Sequence, residues 1–131
     1  MIPHRFEVRV YYEDTDFSGN VYHASYLKFC ERGRTEFLRS IGVHHAELAQ
    51  EGIAFAVREM QIAFDAAARI DDVLTVETRV EAVSGARLVL DQVIRRGEMV
   101  LTRARVTVAA IRLDGRATRL PKVLRDTLAA L

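Results

Sequence analysis

Apolar side chains at Phe6, Val8, Val10 and Tyr12 alternate with Glu7, Arg9 and Tyr11, the two-residue period of a half-buried strand. From residue 23 to 41 the period changes. Tyr26, Phe29, Cys30, Gly33, Phe37 and Ile41 fall at steps of three and four, with Lys28, Glu31, Arg34 and Arg39 between them, which predicts one helix of about five turns ending near Gly42. Gly33 inside that helix costs roughly 1 kcal/mol relative to alanine, so a close approach to a sheet or ligand accounts for it better than propensity does. A short second helix is predicted over residues 45–50, stopped at Gly52. Four strands follow, over residues 53–64, 73–82, 87–95 and 99–113. Within them Leu74, Val76, Thr78 and Val80 alternate with Thr75, Glu77, Arg79 and Glu81, and turn chemistry stands at Ser84-Gly85, Arg96-Gly97 and Asp114-Gly115. Pro121 suits the first turn of a C-terminal helix over residues 122–130.

The order of one strand, one long helix and then four strands joined by short turns predicts an α+β fold with antiparallel pairing and the helix laid against the sheet. At 131 residues the chain suits a single domain with a substantial core. Lys and Arg number 19 against 18 Asp and Glu, a net charge of +1, which gives no general attraction to nucleic acid or to a membrane surface. The longest apolar runs fall far short of the roughly 20 residues of a spanning helix, so membrane insertion is not expected. The opening Met1-Ile2-Pro3-His4-Arg5 has no charged segment leading into an apolar one, and the lone Cys30 has no partner for an internal disulfide; both predict a cytoplasmic protein.

Candidate chemistry concentrates in residues 11–38, YYEDTDFSGNVYHASYLKFCERGRTEFL. Asp16 stands just before the predicted helix start. A helix N-terminus presents unpaired N–H groups and a partial positive charge, which hold a developing oxyanion while a carboxylate acts as base or nucleophile. An aspartate in this place also serves as an ordinary turn or cap residue, and Gly19 as an ordinary turn glycine.

The run Asp14-Thr15-Asp16, Gly19, Val21-Tyr22-His23, Tyr26, Glu31-Arg32 and Arg34 resembles the 4-hydroxybenzoyl-CoA thioesterase family, and within it the Tol-Pal-associated acyl-CoA thioesterases of the YbgC type. Weaker similarity continues through Asp71-Asp72. The resemblance implies a hotdog fold, a curved antiparallel sheet wrapped around the long helix, and hydrolysis of an acyl-CoA to a carboxylate and coenzyme A without metal or other cofactor. It implies Asp16 as the catalytic carboxylate, either attacking the thioester or activating water, and the N–H of His23 as oxyanion donor, with Gly19 letting the turn approach the substrate. The His23 imidazole, Tyr12 and Tyr22 are candidates to line the site, and each of these types also packs. Arg87, after the Ser84-Gly85 turn, is the candidate for the coenzyme A phosphates, with Arg58 and Arg69 as alternatives. Relatives with a basic cluster at that turn differ from the Ser84-Gly85-Ala86-Arg87 found here. A homodimer joined edge to edge, or a homotetramer built from it, is also implied, with each active site at a subunit interface.

Other chemistries fit less well. Adjacent His44-His45 do not converge on a metal as an i,i+4 pair does, no nucleophile-elbow serine is present, and Cys30 lies on the apolar helix face. Phe55, Val57, Met60 and Ile62 are candidates for an acyl pocket or for core. A thioester of an acyl carrier protein is the rival substrate. A dehydratase would need His23 and Glu31 together, but over roughly two helical turns separate them. A non-catalytic acyl-CoA-binding or scaffold module is the rival outside enzymes.

Overall fold

The computed structural model describes residues 2–131. Its strands are β1 (His4–Arg9), β2 (Ile53–Phe64), β3 (Val73–Val83), β4 (Arg87–Arg96) and β5 (Met99–Arg112); its helices are α1 (His23–Ser40), α2 (His45–Gln50) and α3 (Lys122–Ala129). The strands form one antiparallel sheet in the order β1-β3-β4-β5-β2. Register shifts at Val57/Glu59, Val80/Ala82 and Ile94/Arg95 add the local twist that bends a sheet. One long helix packed on a bent five-stranded antiparallel sheet is the hotdog architecture, and the α+β class follows.

One boundary departs from the hydrophobic alternation. A strand reaching Tyr12 was expected, yet β1 closes at Arg9 and Tyr12 opens a 3-10 turn, Tyr12–Asp14. Val10 is fully buried, whereas Tyr12, placed on the buried face by the alternation, is 83% exposed. Hydrogen bonding accounts for the change. The Val10 N–H donates to the Asp72 carbonyl (2.8 Å), and the Tyr11 N–H donates to the Asp14 carboxylate (2.8 Å), so the chain turns away from β3.

The apolar face of α1 meets the sheet in two clusters. Tyr26, Phe29 and Cys30 pack with Val10, Val21, Leu74, Val76, Ile94 and Leu101. Phe37 and Leu38 pack with Leu88, Leu90, Val106, Val108 and, from the C-terminal segment, Leu120, Leu124 and Leu128. Each large side chain buried here contributes about 1.5–3 kcal/mol.

Between the clusters the helix touches the sheet at Gly33. A Cβ there would stand 2.6 Å from Val76 Cγ1 and 3.4 Å from Gln92 Nε2. Gln92 is fully buried and satisfied: its Nε2 donates to the Cys30 carbonyl (2.9 Å) and to Thr78 Oγ1 (3.0 Å), while its Oε1 accepts from Arg34 Nη1 (3.0 Å). The helix therefore approaches the sheet to backbone distance, held by a side-chain amide on one side and a valine on the other.

Gly33→Ala is expected to destabilise the protein by about 1–3 kcal/mol despite alanine's better helix propensity, because the new methyl forces the buried Val76 side chain to shift. Urea unfolding checks this, and Val76→Ala combined with Gly33→Ala should cost less than the two single changes added. A second contact ties the helix start to the β2–β3 connection: the buried Ala68 N–H donates to the Tyr26 hydroxyl (2.9 Å). Tyr26→Phe should cost about 1–3 kcal/mol in the same measurement, since it leaves that N–H buried without an acceptor.

Candidate active site

Residues 15–21 form a small loop anchored at both ends. The Asp16 N–H donates to the Asn20 carbonyl (2.9 Å), the Gly19 N–H to the Asp16 carbonyl (3.1 Å), and Thr15 pairs with Val21. Gly19 has a φ of +85°, the left-handed region that glycine enters without strain. The loop docks on the β2–β3 connection, where the Val21 N–H donates to the Ala68 carbonyl (2.9 Å), Asn20 pairs with Arg69, and Arg69 Nη1 donates to Asn20 Oδ1 (3.3 Å). It is tied to the helix start through Asp14, whose carbonyl accepts from the Tyr22 N–H (2.9 Å) and Ser25 Oγ (3.1 Å). Asp14 is buried, and its carboxylate receives the Tyr11 N–H, so it ties the 3-10 turn to the loop.

Asp16 is exposed, on the wall of an open hollow of about 400 Å³ that Tyr12, Thr15, Phe17, Gly19 and Ile70 also line. Its Oδ1 accepts two hydrogen bonds, from Ser18 Oγ (2.5 Å) and the Ser18 N–H (2.8 Å). The Ser18 hydroxyl and then its N–H hold the Asp16 carboxyl below the ordinary carboxylate range, against a smaller opposing effect of burial. The group is thus an anion at neutral pH. His23 opens α1, where helix geometry gives its N–H no carbonyl one turn earlier to bond.

The residues expected from sequence are only partly gathered. Tyr12 and Gly19 share the hollow with Asp16. Tyr22 and the His23 imidazole pack on each other with ring centroids 4.4 Å apart, and His23 meets Phe64 edge-on at 6.3 Å. Arg87 opens β4 just after the β3–β4 turn, and its N–H donates to Ser84 Oγ (3.2 Å). The Arg119 guanidinium joins it there, with Nη2 at 2.9 Å from the place a Gly85 Cβ would take. Arg69 is the cation bonded to the Asp16 loop. The sequence pattern does not pick out Phe17, Ile70 or the pair of hydrogen bonds from Ser18 to Asp16; an oxygen-bearing side chain two positions after an aspartate is the available sign of the last.

A larger cavity of about 690 Å³ lies along the second half of α1. Leu38, Phe55, Val57, Leu88, Leu90 and Val108 supply its apolar lining, and Glu31, Arg34, Arg39, His44 and His45 its polar one. Among the described residues no group of three or more His, Cys, Asp and Glu is placed to hold a metal ion. Cys30 is fully buried, and burial pushes its thiol up to about 11, so it stays protonated and belongs to the core. Among the described residues no helix is long and apolar enough to cross a membrane.

The sequence profile of the Thioesterase-like superfamily matches residues 10–128. The acyl-CoA thioesterase YbgC of Haemophilus influenzae is 47% identical over 109 residues, covering 82% of this chain and 80% of that protein. The chloroplastic acyl-acyl carrier protein thioesterase ATL2 of Arabidopsis thaliana is 32% identical over 125 residues, 94% of this chain and 66% of that one. Among solved structures, a probable thioesterase from Bartonella henselae superposes with a TM-score of 0.84 at 47% identity, covering 92% of this chain and 100% of its own. A profile match over nearly the whole length, a hotdog fold and relatives at this identity place the chain together: it belongs to the thioesterase-like superfamily, whose chemistry is thioester hydrolysis.

Proposed function

We propose that this thioester hydrolase acts on acyl-CoA, releasing a free carboxylate and coenzyme A, with Asp16 as its catalytic carboxylate. The observation that carries the reading is an ionised aspartate on the wall of an open hollow, on the loop that leads into α1, in a chain similar to the acyl-CoA thioesterase YbgC. Two routes use that group. In one, a carboxylate oxygen adds to the thioester carbonyl carbon, the C–S bond breaks with its electron pair on sulfur, and water then cleaves the mixed anhydride and restores the carboxylate. In the other, the carboxylate takes a proton from water as the hydroxyl adds to the carbonyl carbon, and the C–S bond breaks as the thiolate leaves and takes up that proton. Both put negative charge on the former carbonyl oxygen, where the His23 N–H is the donor. Neither step requires a metal. Arg87 and Arg119 offer two cations for phosphates at the β3–β4 turn. Cytoplasmic residence fits a single cysteine kept as a buried free thiol.

Assembly supplies what one chain lacks. The Asp16 hollow lies on the loop that leads into α1, while the apolar cavity lies along the helix's second half; from His23 to Thr35 the helix axis runs roughly 18 Å. β2 is an edge of the sheet, 12 residues long, with Val57 and Phe64 about half exposed. An open edge of that length invites pairing with a second copy. A two-fold axis normal to the sheet at that edge reverses strand and helix directions together, bringing one copy's helix start toward the other's cavity. A homodimer, able to pair again into a tetramer, completes the site in this way. Sedimentation is expected to show dimer or tetramer at micromolar concentration; monomer alone would overturn the shared site.

The similarity to ATL2 brings acyl carrier protein thioesters forward as a second substrate class. A panel of short aliphatic, long aliphatic and aromatic acyl-CoAs, with one acyl carrier protein thioester, separates the two by thiol release. Asp16→Asn is expected to lower turnover on the preferred acyl-CoA by roughly a hundredfold or more with the fold intact. Turnover confined to the carrier-protein thioester would favour the second class, and unchanged turnover would remove Asp16 from the chemistry.

A further inference from the structure

The Asp16 carboxylate is held on one side only. Both of its hydrogen bonds come from Ser18 and both fall on Oδ1, while among the described residues no donor bonds to Oδ2. Ser18 is itself oriented: its Oγ accepts the Asn20 N–H (3.3 Å), which leaves the hydroxyl hydrogen for Asp16. Asn20 is in turn fixed by its pairing with Arg69 and by its carbonyl, which accepts the Asp16 N–H (2.9 Å). A chain of bonds thus runs from the β2–β3 connection through Asn20 and Ser18 to a single oxygen of the carboxylate.

We propose that Ser18 is a positioning residue: it commits Oδ1 of Asp16 and fixes the rotation of the carboxylate, so that Oδ2 is the oxygen presented to the thioester or to the attacking water. The inference rests on Asp16 being the catalytic carboxylate. An aspartate on an exposed loop otherwise rotates among several χ1 and χ2 positions, and only some place an oxygen in line with a carbonyl carbon. Two donors converging on one oxygen remove that freedom before substrate arrives, which is the part of catalysis that orientation supplies. The same bonds weaken the proton affinity of Asp16, so the carboxylate keeps its charge to lower pH than an unbonded aspartate does. The other titratable groups on the segments around it are Tyr11, Tyr12, Glu13 and Asp14 at the 3-10 turn, Tyr22 and His23 at the helix start, and Arg69, Asp71 and Asp72 on the β2–β3 connection. Asp14 and Asp72 are engaged elsewhere, with the Tyr11 N–H and with Arg69 and Arg96. Ser18 supplies both the orientation and the lowered proton affinity.

The test compares Ser18→Ala, Ser18→Thr and Asp16→Asn with the unaltered protein, reading kcat and KM on the preferred acyl-CoA and following the Asp16 carboxyl carbon by NMR through a pH titration. Ser18→Ala is expected to lower kcat roughly tenfold, with KM changed less than about twofold, and to move the Asp16 titration to higher pH, while Ser18→Thr, which keeps the hydroxyl, recovers both. A thermal unfolding midpoint within a few degrees of the parent's keeps these readings separate from loss of fold. Should Ser18→Ala leave kcat and the titration unchanged while Asp16→Asn is inactive, Ser18 is an ordinary turn residue and the proposal fails with the functional reading intact. Should Asp16→Asn itself remain active, the functional reading fails and the role of Ser18 goes with it.

Discussion

The depth at which α1 sits in the sheet is set at one point, where the backbone of Gly33 meets Val76 at a distance no other residue allows. Everything on either side of that contact takes its place from it. Toward the C-terminus, Phe37 and Leu38 reach the cluster closed by α3; toward the N-terminus, Phe29 and Tyr26 reach the cluster under the β2–β3 connection. Gln92 answers the polar groups that such closeness would strand, satisfying Cys30 and Thr78 and bracing Arg34 with one amide. The helix start is thereby delivered, with little freedom, to the loop that carries Asp16.

That loop is held mainly by hydrogen bonds, with Val21 its one residue in the core. Asp14 closes the 3-10 turn, Asn20 and Val21 pair with the β2–β3 connection, and Tyr26 fixes the same connection from the helix. Asp16 itself contributes nothing to this scaffold through its side chain beyond its contact with Ser18, and it faces solvent. A carboxylate that is exposed, ionised and held on one side is a group available to something outside the chain. The neighbouring Tyr12 and Phe17 are also left largely uncovered, unusual for aromatic side chains in one place.

Periodicity made most of the fold legible. The long helix, α2 and the four later strands fall within a residue or two of their expected bounds, because half-buried elements repeat their environment at fixed intervals and the sequence carries that repeat. Tyr12 was misplaced because alternation cannot register an N–H turned aside by a side chain three residues on, as Asp14 does to Tyr11. Gly33 could be flagged as costly from sequence, but only the sheet opposite shows what the cost allows. The candidate residues Tyr12, Asp16, Gly19, Tyr22 and His23 could be read as one motif because they lie close together in the chain. Arg119 and Ile70 could not, for they arrive from distant segments, and the split between the Asp16 hollow and the cavity along α1 is a property of three dimensions alone.

The pairing of β1 with β3 has a consequence for how the chain comes to be folded. His4 opposes Thr78, and the faces of β4 and β5 that cover α1 lie later still. A ribosome adding about 5–20 residues per second releases β1 and the apolar stripe of α1 several seconds before the surfaces that bury them exist. Through that interval the helix is an amphipathic segment without a sheet and β1 a strand without a neighbour, so the nascent chain is at its most adhesive early and becomes safe only when β5 has emerged. The topology therefore puts the period of greatest exposed apolar surface at the start of the chain's life, a state of which the finished molecule keeps no trace.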